Sequence, residues 1–273
     1  MGDFEDRFGG IARVLGAPGL ERLRRGHVCI IGLGGVGSWA VEALARSGVG
    51  ELTLVDLDDV CISNVNRQLP ALDSTVGRAK ATVLAARLTD INPALRVHPR
   101  IEFFTAESAP GLLDSSFDVV LDAIDSPSLK ARLIAACRER GRPVVTTGGA
   151  GGRRDPTRIR VADLADSFRD PLLAQVRSLL RKHHAFPRDG TPFGVDCVFS
   201  VEPLQYPEAA ACPVPEATTG IAADDGAVCE RRYGAASFVT GAFGFAAAAQ
   251  VAAILAGRPG LAGARPMAGR RAG

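Results

Sequence analysis

Two rhythms of apolar and polar positions alternate along the chain. Residues 27–32, 51–56, 118–124 and 143–147 are short apolar-rich runs, the pattern of strands inside a sheet. Between and after them, residues 38–47, 78–89 and 129–140 carry a helical pattern; Asn92-Pro93 follows the second, and Gly141 closes the third. Residues 96–104 alternate and read as a further strand. Strands alternating with helices of this size predict an α/β fold: a Rossmann-like, doubly wound, mostly parallel sheet. Four segments follow from the pattern. Residues 1–26 form a helical approach segment, and 27–150 form the core. Residues 151–257 are a C-terminal α+β extension, with short strands at 158–161 and 195–199 flanking a helix at 171–183. Residues 258–273 are a Gly/Ala/Pro/Arg-rich tail that reads as disordered, and 202–230, rich in Pro, Ala and acids, reads as irregular.

One stretch departs from this alternation. Residues 233–257 contain no charge and include Phe238, Phe243 and Phe245 among many alanines. The length suits a bilayer, but the poverty in Leu and Ile makes transfer to lipid weakly favourable. The stretch therefore reads as a helix buried in a core or a subunit interface.

Composition adds limits more than direction. A chain of 273 residues with 47% hydrophobic and 23% charged content is that of a soluble globular protein able to bury a sizeable core. A net charge of +2 is too small to argue for nucleic acid by itself. Cysteines stand at 29, 61, 137, 197, 212 and 229, and no two have the C-x-x-C spacing of a zinc ribbon or a thioredoxin-like motif. Cys29 and Cys137 fall in apolar patterns that predict buried, reduced thiols. The opening Met-Gly-Asp-Phe-Glu-Asp has no basic-then-apolar leader, which predicts a cytoplasmic protein.

The candidate chemistry begins where the first strand ends. Gly32, Gly34, Gly35 and Gly37 make a tight turn into a helix, so that backbone N–H groups and the helix dipole face an anion. Asp56 ends the second strand, where a carboxylate accepts from ribose hydroxyls. This much signals a nucleotide without saying which. Asp58, Asn64, Arg67 and Gln68 follow, and Lys80 lies near the start of the next helix. Arg67 and Lys80 are placed to hold the β- and γ-phosphates of ATP and to stabilise a departing pyrophosphate. Taken singly, Arg67 also suits a surface salt bridge and Lys80 a solvated helix face. Asp122 and Asp125 lie at the carboxyl end of the 118–124 strand, where sheets of this type bind ligands. Asp122 is expected near the nucleotide and Asp125 on Mg²⁺, which a triphosphate beside carboxylates requires. Asp125 or Ser126 before Pro127 also suits a helix cap.

As an ordered set, Gly-x-Gly-Gly-x-Gly, Asp56, Asn64-x-x-Arg67-Gln68, Lys80 and Asp125 resembles the ThiF/MoeB-type adenylyltransferases of the ubiquitin-activating superfamily. Arg7-Phe8-Gly9-Gly10, the run 146–152 with Asp155-Pro156-Thr157, and residues 194–200 are similar to the tRNA threonylcarbamoyladenosine dehydratases. That resemblance implies ATP-dependent cyclisation on tRNA. The threonylcarbamoyl carboxylate at adenosine 37 is adenylated, and its own carbamoyl group then expels AMP. The chemistry is sound in itself, since AMP leaves far more readily than hydroxide and the second step is intramolecular. The resemblance also implies catalytic roles for Arg67, Lys80 and Asp125, a homodimer, and a sulfur-relay protein as a further partner.

Rival readings divide on particular residues. Activation of a ubiquitin-like sulfur carrier is disfavoured by the missing zinc cysteine pairs. An NAD-dependent oxidoreductase accounts for Gly32 through Asp56 but gives Arg67, Lys80 and Asp125 no shared purpose; a non-catalytic nucleotide sensor would tolerate the loss of Arg67. The N-terminal arginine that reaches a neighbouring subunit's ATP site in sulfur-carrier activators would fall at Gly10, with Arg7 and Arg13 as substitutes. Cys197, on a predicted strand, reads as structural rather than as a thioester-forming thiol, and so does Cys61. Arg153, Arg154, Arg158 and Arg160, with Arg177, Arg181, Lys182, His183, His184 and Arg188, are candidates to track RNA phosphates or simply to solvate helix faces.

Overall fold

The protein opens with two helices, α1 (Asp3–Leu15) and α2 (Ala17–Arg25), separated at Gly16, where φ is +81°. Strand β1 (His27–Ile31) then leads into α3 (Gly37–Arg46), followed by β2 (Glu51–Val55), α4 (Lys80–Ile91) and β3 (Arg96–Arg100). A short α5 (Ala109–Leu113) precedes β4 (Val119–Asp122), α6 (Pro127–Glu139) and β5 (Val144–Thr147). The C-terminal part holds β6 (Ile159–Asp163), α7 (Pro171–His183), β7 (Asp196–Ser200) and α8 (Ser237–Leu255). This computed structural model describes residues 3–113, 117–205 and 233–257. The tail at 258–273 and most of the irregular 202–230 stretch, with Cys212 and Cys229, lie outside the described residues.

The strands form one sheet in the order β3-β2-β1-β4-β5-β7-β6. All neighbours are parallel except β6, which runs antiparallel to β7 at the edge. Order reverses between β1 and β4, the switch point beside which a doubly wound sheet opens its ligand crevice. Alternate side chains of β1 serve opposite faces: Val28 and Ile30 enter one apolar cluster, Cys29 and Ile31 the other. The α/β architecture expected from the pattern is therefore present. The extension after residue 150 lengthens the same sheet rather than starting another, because β7 hydrogen-bonds to β5.

Several elements differ from expectation. Strand β4 ends at Asp122 rather than 124, and β6 reaches Asp163 rather than 161. Helix α4 starts at Lys80 rather than 78, since Val60 N–H donates to Arg78 O and Lys80 N–H to Asp58 O, which straps residues 78–79 across the preceding loop. Strand β3 stops at Arg100, short of 104. The single turn of α5 spans too few residues to show a period, and Pro110 and Gly111 hide it further.

The uncharged stretch is indeed a helix against the core. In α8, Val239, Phe243, Ala247 and Val251 are buried, and Gly244 sits so close to α3 that an added Cβ would lie 2.6 Å from Val36 O and 2.8 Å from Trp39 Cβ. Arg22 of α2 donates to Ala256 O at 2.6 Å, capping the far end. Helix α8 is nineteen residues long and its apolar window has a mean hydropathy of 1.8, the length and composition of a bilayer span, yet half of that window is buried inside the protein.

Candidate active site

The glycine turn is sterically obligatory at two of its four positions. Gly32 has φ +91°, and a Cβ there would lie 2.7 Å from Ala123 O; at Gly37 it would lie 1.8 Å from Gly32 O. Helix α3 starts directly after the turn; Ser38 N donates back to Gly34 O at 3.1 Å, and a helix start of this kind offers its remaining first N–H groups to an anion. Gly34 and Gly35 are less confined, but both lie under the loop that follows β2. A Cβ at Gly34 would be 3.8 Å from Gln68 Nε2, and one at Gly35 would be 3.2 Å from Thr240 Cγ2 and 3.5 Å from Arg67 Cγ.

Asp56 ties the turn to that loop. Its Oδ2 accepts from Leu33 N at 2.6 Å and its Oδ1 from Asp58 N at 2.9 Å. Burial raises its carboxyl above the usual range, with the Lys80 charge and the two backbone N–H groups pulling the other way. Lys80 is 5% exposed, and its Nζ pairs with Asp58 Oδ2 at 2.8 Å. Asp56, Asp58 and Lys80 are thus gathered at the end of β2.

Arg67 is carried over the turn on a braced backbone. Trp39 Nε1 donates to Arg67 O at 3.0 Å and Thr240 Oγ1 donates to the same atom at 3.1 Å. The guanidinium donates to Ser63 O at 2.9 Å and to Asn66 Oδ1 at 3.1 Å. Asn64 is buried and closes its own loop, its Oδ1 accepting from Cys61 N at 3.0 Å. Gln68 is 7% exposed and its Oε1 has no hydrogen-bond partner among the described residues. A buried acceptor left so costs about 1–3 kcal/mol, which a donating ligand group at the turn would recover. Trp39 and Thr240 were missed from sequence. The available signals were a lone tryptophan just after the glycine turn and a hydroxyl in an otherwise apolar helix.

Asp122 departs from expectation. It is fully buried, with Oδ2 2.9 Å from Lys130 Nζ and 2.7 Å from the donating Thr146 Oγ1, while Oδ1 accepts from Ile124 N at 3.1 Å. Its oxygens are spent on pinning α6 and β5 to β4. Asp125, beyond the end of β4, is exposed. Cys197 is fully buried on β7, and burial pushes its thiol well up, which suppresses the thiolate. Burial likewise raises Cys29 and pushes Cys137 up to about 12, as expected of inert core thiols. Cys61 differs: it is exposed, and a hydrogen bond from Ser63 Oγ lowers its thiol. Arg7 is tied to Asp3 at 2.9 Å and donates to Ile91 O at 3.3 Å, so within one chain it braces α1 against α4.

A doubly wound sheet with a glycine turn at its switch point, a carboxylate on the turn and two cations beside it defines a nucleotide-binding α/β protein fitted to a polyphosphate. The chain belongs to the ThiF family, whose model matches residues 9–269. It is 46% identical over 250 residues to the tRNA threonylcarbamoyladenosine dehydratase of Haemophilus influenzae, covering 91% of this chain and 93% of that protein. It is equally identical, 46% over 247 residues, to the Escherichia coli dehydratase of the same name, covering 89% and 91%. The crystal structure of the E. coli dehydratase in complex with ATP superposes with a TM-score of 0.81 at 43% identity, covering 92% of this chain and 94% of that one.

Proposed function

We propose that this protein is an ATP-dependent dehydratase that cyclises the threonylcarbamoyl group on adenosine 37 of tRNA through an adenylated carboxylate. The observation that carries the reading is the pairing of Arg67 and Lys80 with one glycine turn, in a chain similar over nine-tenths of its length to dehydratases of that name. A dinucleotide binder needs the turn and Asp56 but not both cations.

The chemistry follows from the side chains. A substrate carboxylate oxygen attacks the α-phosphorus of ATP, and the bond to the pyrophosphate oxygen breaks, with its electron pair leaving on pyrophosphate. The N–H groups at the start of α3 hold phosphate oxygens, and Arg67 and Lys80 neutralise charge as it gathers on the leaving group. Asp58 keeps Lys80 oriented until the phosphates take its place. Asp56 accepts from the ribose, and Gln68 Oε1 receives a donor it otherwise lacks. The carbamoyl group then attacks the acyl carbon; AMP departs with its bonding pair and a proton is lost, so one water is removed overall. Proximity of the two groups on one side chain drives this closure without a protein nucleophile, which agrees with the burial of Cys197.

A magnesium ion fits the donor set, since one exposed carboxylate at a strand end together with phosphate oxygens is what the ion accepts. Asp125 would hold it, and when bound it would supply Lewis-acid neutralisation of the phosphates. Asp125→Asn is expected to raise the Mg²⁺ concentration for half-maximal rate at least several-fold; an unchanged metal titration would reject the assignment. Pairing of two copies is supported by the outer side of α8, where Phe238 and Phe245 remain 61% and 50% exposed. A cytoplasmic location agrees with a tRNA substrate. A sulfur-relay partner would need an accessible thiol, and Cys61 is the exposed one among the described residues.

Incubation with ATP, Mg²⁺ and tRNA carrying threonylcarbamoyladenosine, followed by mass analysis of the nucleosides, tests the function. The expected result is loss of one water from that nucleoside with release of AMP and pyrophosphate. Pyrophosphate release with no change in the nucleoside would point instead to another acyl acceptor.

A further inference from the structure

The run of basic residues after residue 150 is split by the fold into groups with different fates. Arg153 turns inward: it is 3% exposed and donates to Arg169 O at 2.6 Å. The later group is arranged outward. Helix α7 buries Leu173, Val176 and Leu180 against the core, which leaves Ala174, Arg177, Ser178 and Arg181 on one outer face at helical spacing. After the helix ends, the chain turns back, and Arg188 closes the other side by donating to Arg181 O at 2.9 Å. The result is a concavity of about 420 Å³ lined by Arg177, Arg181, Lys182 and Arg188, with no acidic residue in its wall among the described residues.

Helix-dipole complementarity accounts for the cations in the last turn of α7. It does not account for Arg177 a full turn earlier, nor for Arg188 beyond the helix. Burial and, after it, the neighbouring Arg181 charge hold Arg177 below the ordinary arginine range, so an anion in the concavity would relieve like-charge strain. The position also suits the substrate. Asp170 caps α7 through Leu173 N and also accepts from Gly149 N at 2.9 Å in the glycine loop after β5, so the helix starts at the carboxyl edge of the sheet. Arg177 and Arg181 then lie about 9 and 15 Å along α7 from that edge, at 1.5 Å per residue. Arg177 also donates to Ser167, next to Phe168, whose ring is half exposed and packs edge-on against Phe199 at 5.7 Å.

Resting on the function proposed above, we propose that this concavity binds the sugar-phosphate backbone of the tRNA whose modified base enters the glycine-turn pocket, with Phe168 as an adjoining platform for an unstacked base. Cations in a row supply the salt-dependent part of the affinity, and the ring supplies a part that salt does not screen.

The test is tRNA affinity against salt concentration for the full chain, using tRNA that carries threonylcarbamoyladenosine, with ATP affinity of each variant measured as a check on folding. In Lys182→Glu/Arg188→Glu the tRNA Kd is expected to rise at least about tenfold at low salt, and the log–log salt slope to fall by about one per cation removed. Phe168→Ala is expected to weaken binding about fivefold or more with the salt slope unchanged. Variants that match the wild type in affinity and slope, or a wild type with no measurable tRNA affinity, would overturn the proposal. Dehydration of the nucleoside is read separately, so a wild type that binds tRNA but leaves the nucleoside intact would count against the function and not against this surface.

Discussion

Arg67→Ala and Lys80→Ala are each expected to slow pyrophosphate release about 10²- to 10³-fold, the usual cost of removing one group that stabilises charge in a transition state. Neither change should unfold the protein. Asp58, the partner of Lys80, is 57% exposed and can take water in its place. The backbone of Arg67 is held by Trp39 and Thr240 through its carbonyl oxygen, which alanine retains. The two variants should separate under chemical rescue. Guanidinium ion should restore part of the rate in Arg67→Ala, because that side chain lies on an open loop, and alkylamines should do less for the buried Lys80 position. Pyrophosphate release at the wild-type rate in either variant would remove the corresponding cation from the mechanism.

Lys130→Met is expected to destabilise the fold by about 3–5 kcal/mol, because it leaves the Asp122 carboxylate buried without its cation. For a chain of this size that is a fall in Tm on the order of 10 °C. The double variant Asp122→Leu/Lys130→Met should recover most of the loss, since apolar replacement of a buried pair is often near neutral. Thermal melts with and without ATP decide what the pair does. If Asp122 gripped the nucleotide, Asp122→Asn would weaken ATP binding and leave the melting temperature of the free protein in place. A pair that only pins α6 and β5 gives the reverse pattern, and a double variant no better than Lys130→Met would show that the lost stability comes from elsewhere.

The contrast between Asp122 and Asp125 shows where sequence reasoning reached its limit. Both residues follow the same apolar strand, and the rule that strand ends face the ligand applies to both equally. What separates them is Lys130, which lies eight residues on and reaches back across one helical turn, a contact that neither residue's local pattern encodes. The same holds for Trp39 and Thr240, which meet at Arg67 O from helices some two hundred residues apart. Gly37, in contrast, was legible because its requirement is local: the turn folds back on its own backbone, and a Cβ there would strike Gly32 O. Gly32 was legible by the positive φ of its turn, although the atom that excludes its Cβ, Ala123 O, comes from the distant segment after β4.

By itself the sequence determined the alternation of strands and helices, the glycine turn, and the ordered residues from Asp56 to Lys80. The alternation and the tightness of the turn depend on neighbours within a few positions, where periodicity and steric exclusion act directly; the ordered residues were legible as a motif, while their contacts span longer loops. Only the tertiary structure decided that residues after 150 lengthen the same sheet, that α8 rests on α3, that Asp122 is spent on Lys130, and that Arg153 turns in while Lys182 and Arg188 face out. Those outcomes turn on which surfaces lose water and which charges meet across long loops. Such burial is a property of the folded whole, and no short window of the chain contains it.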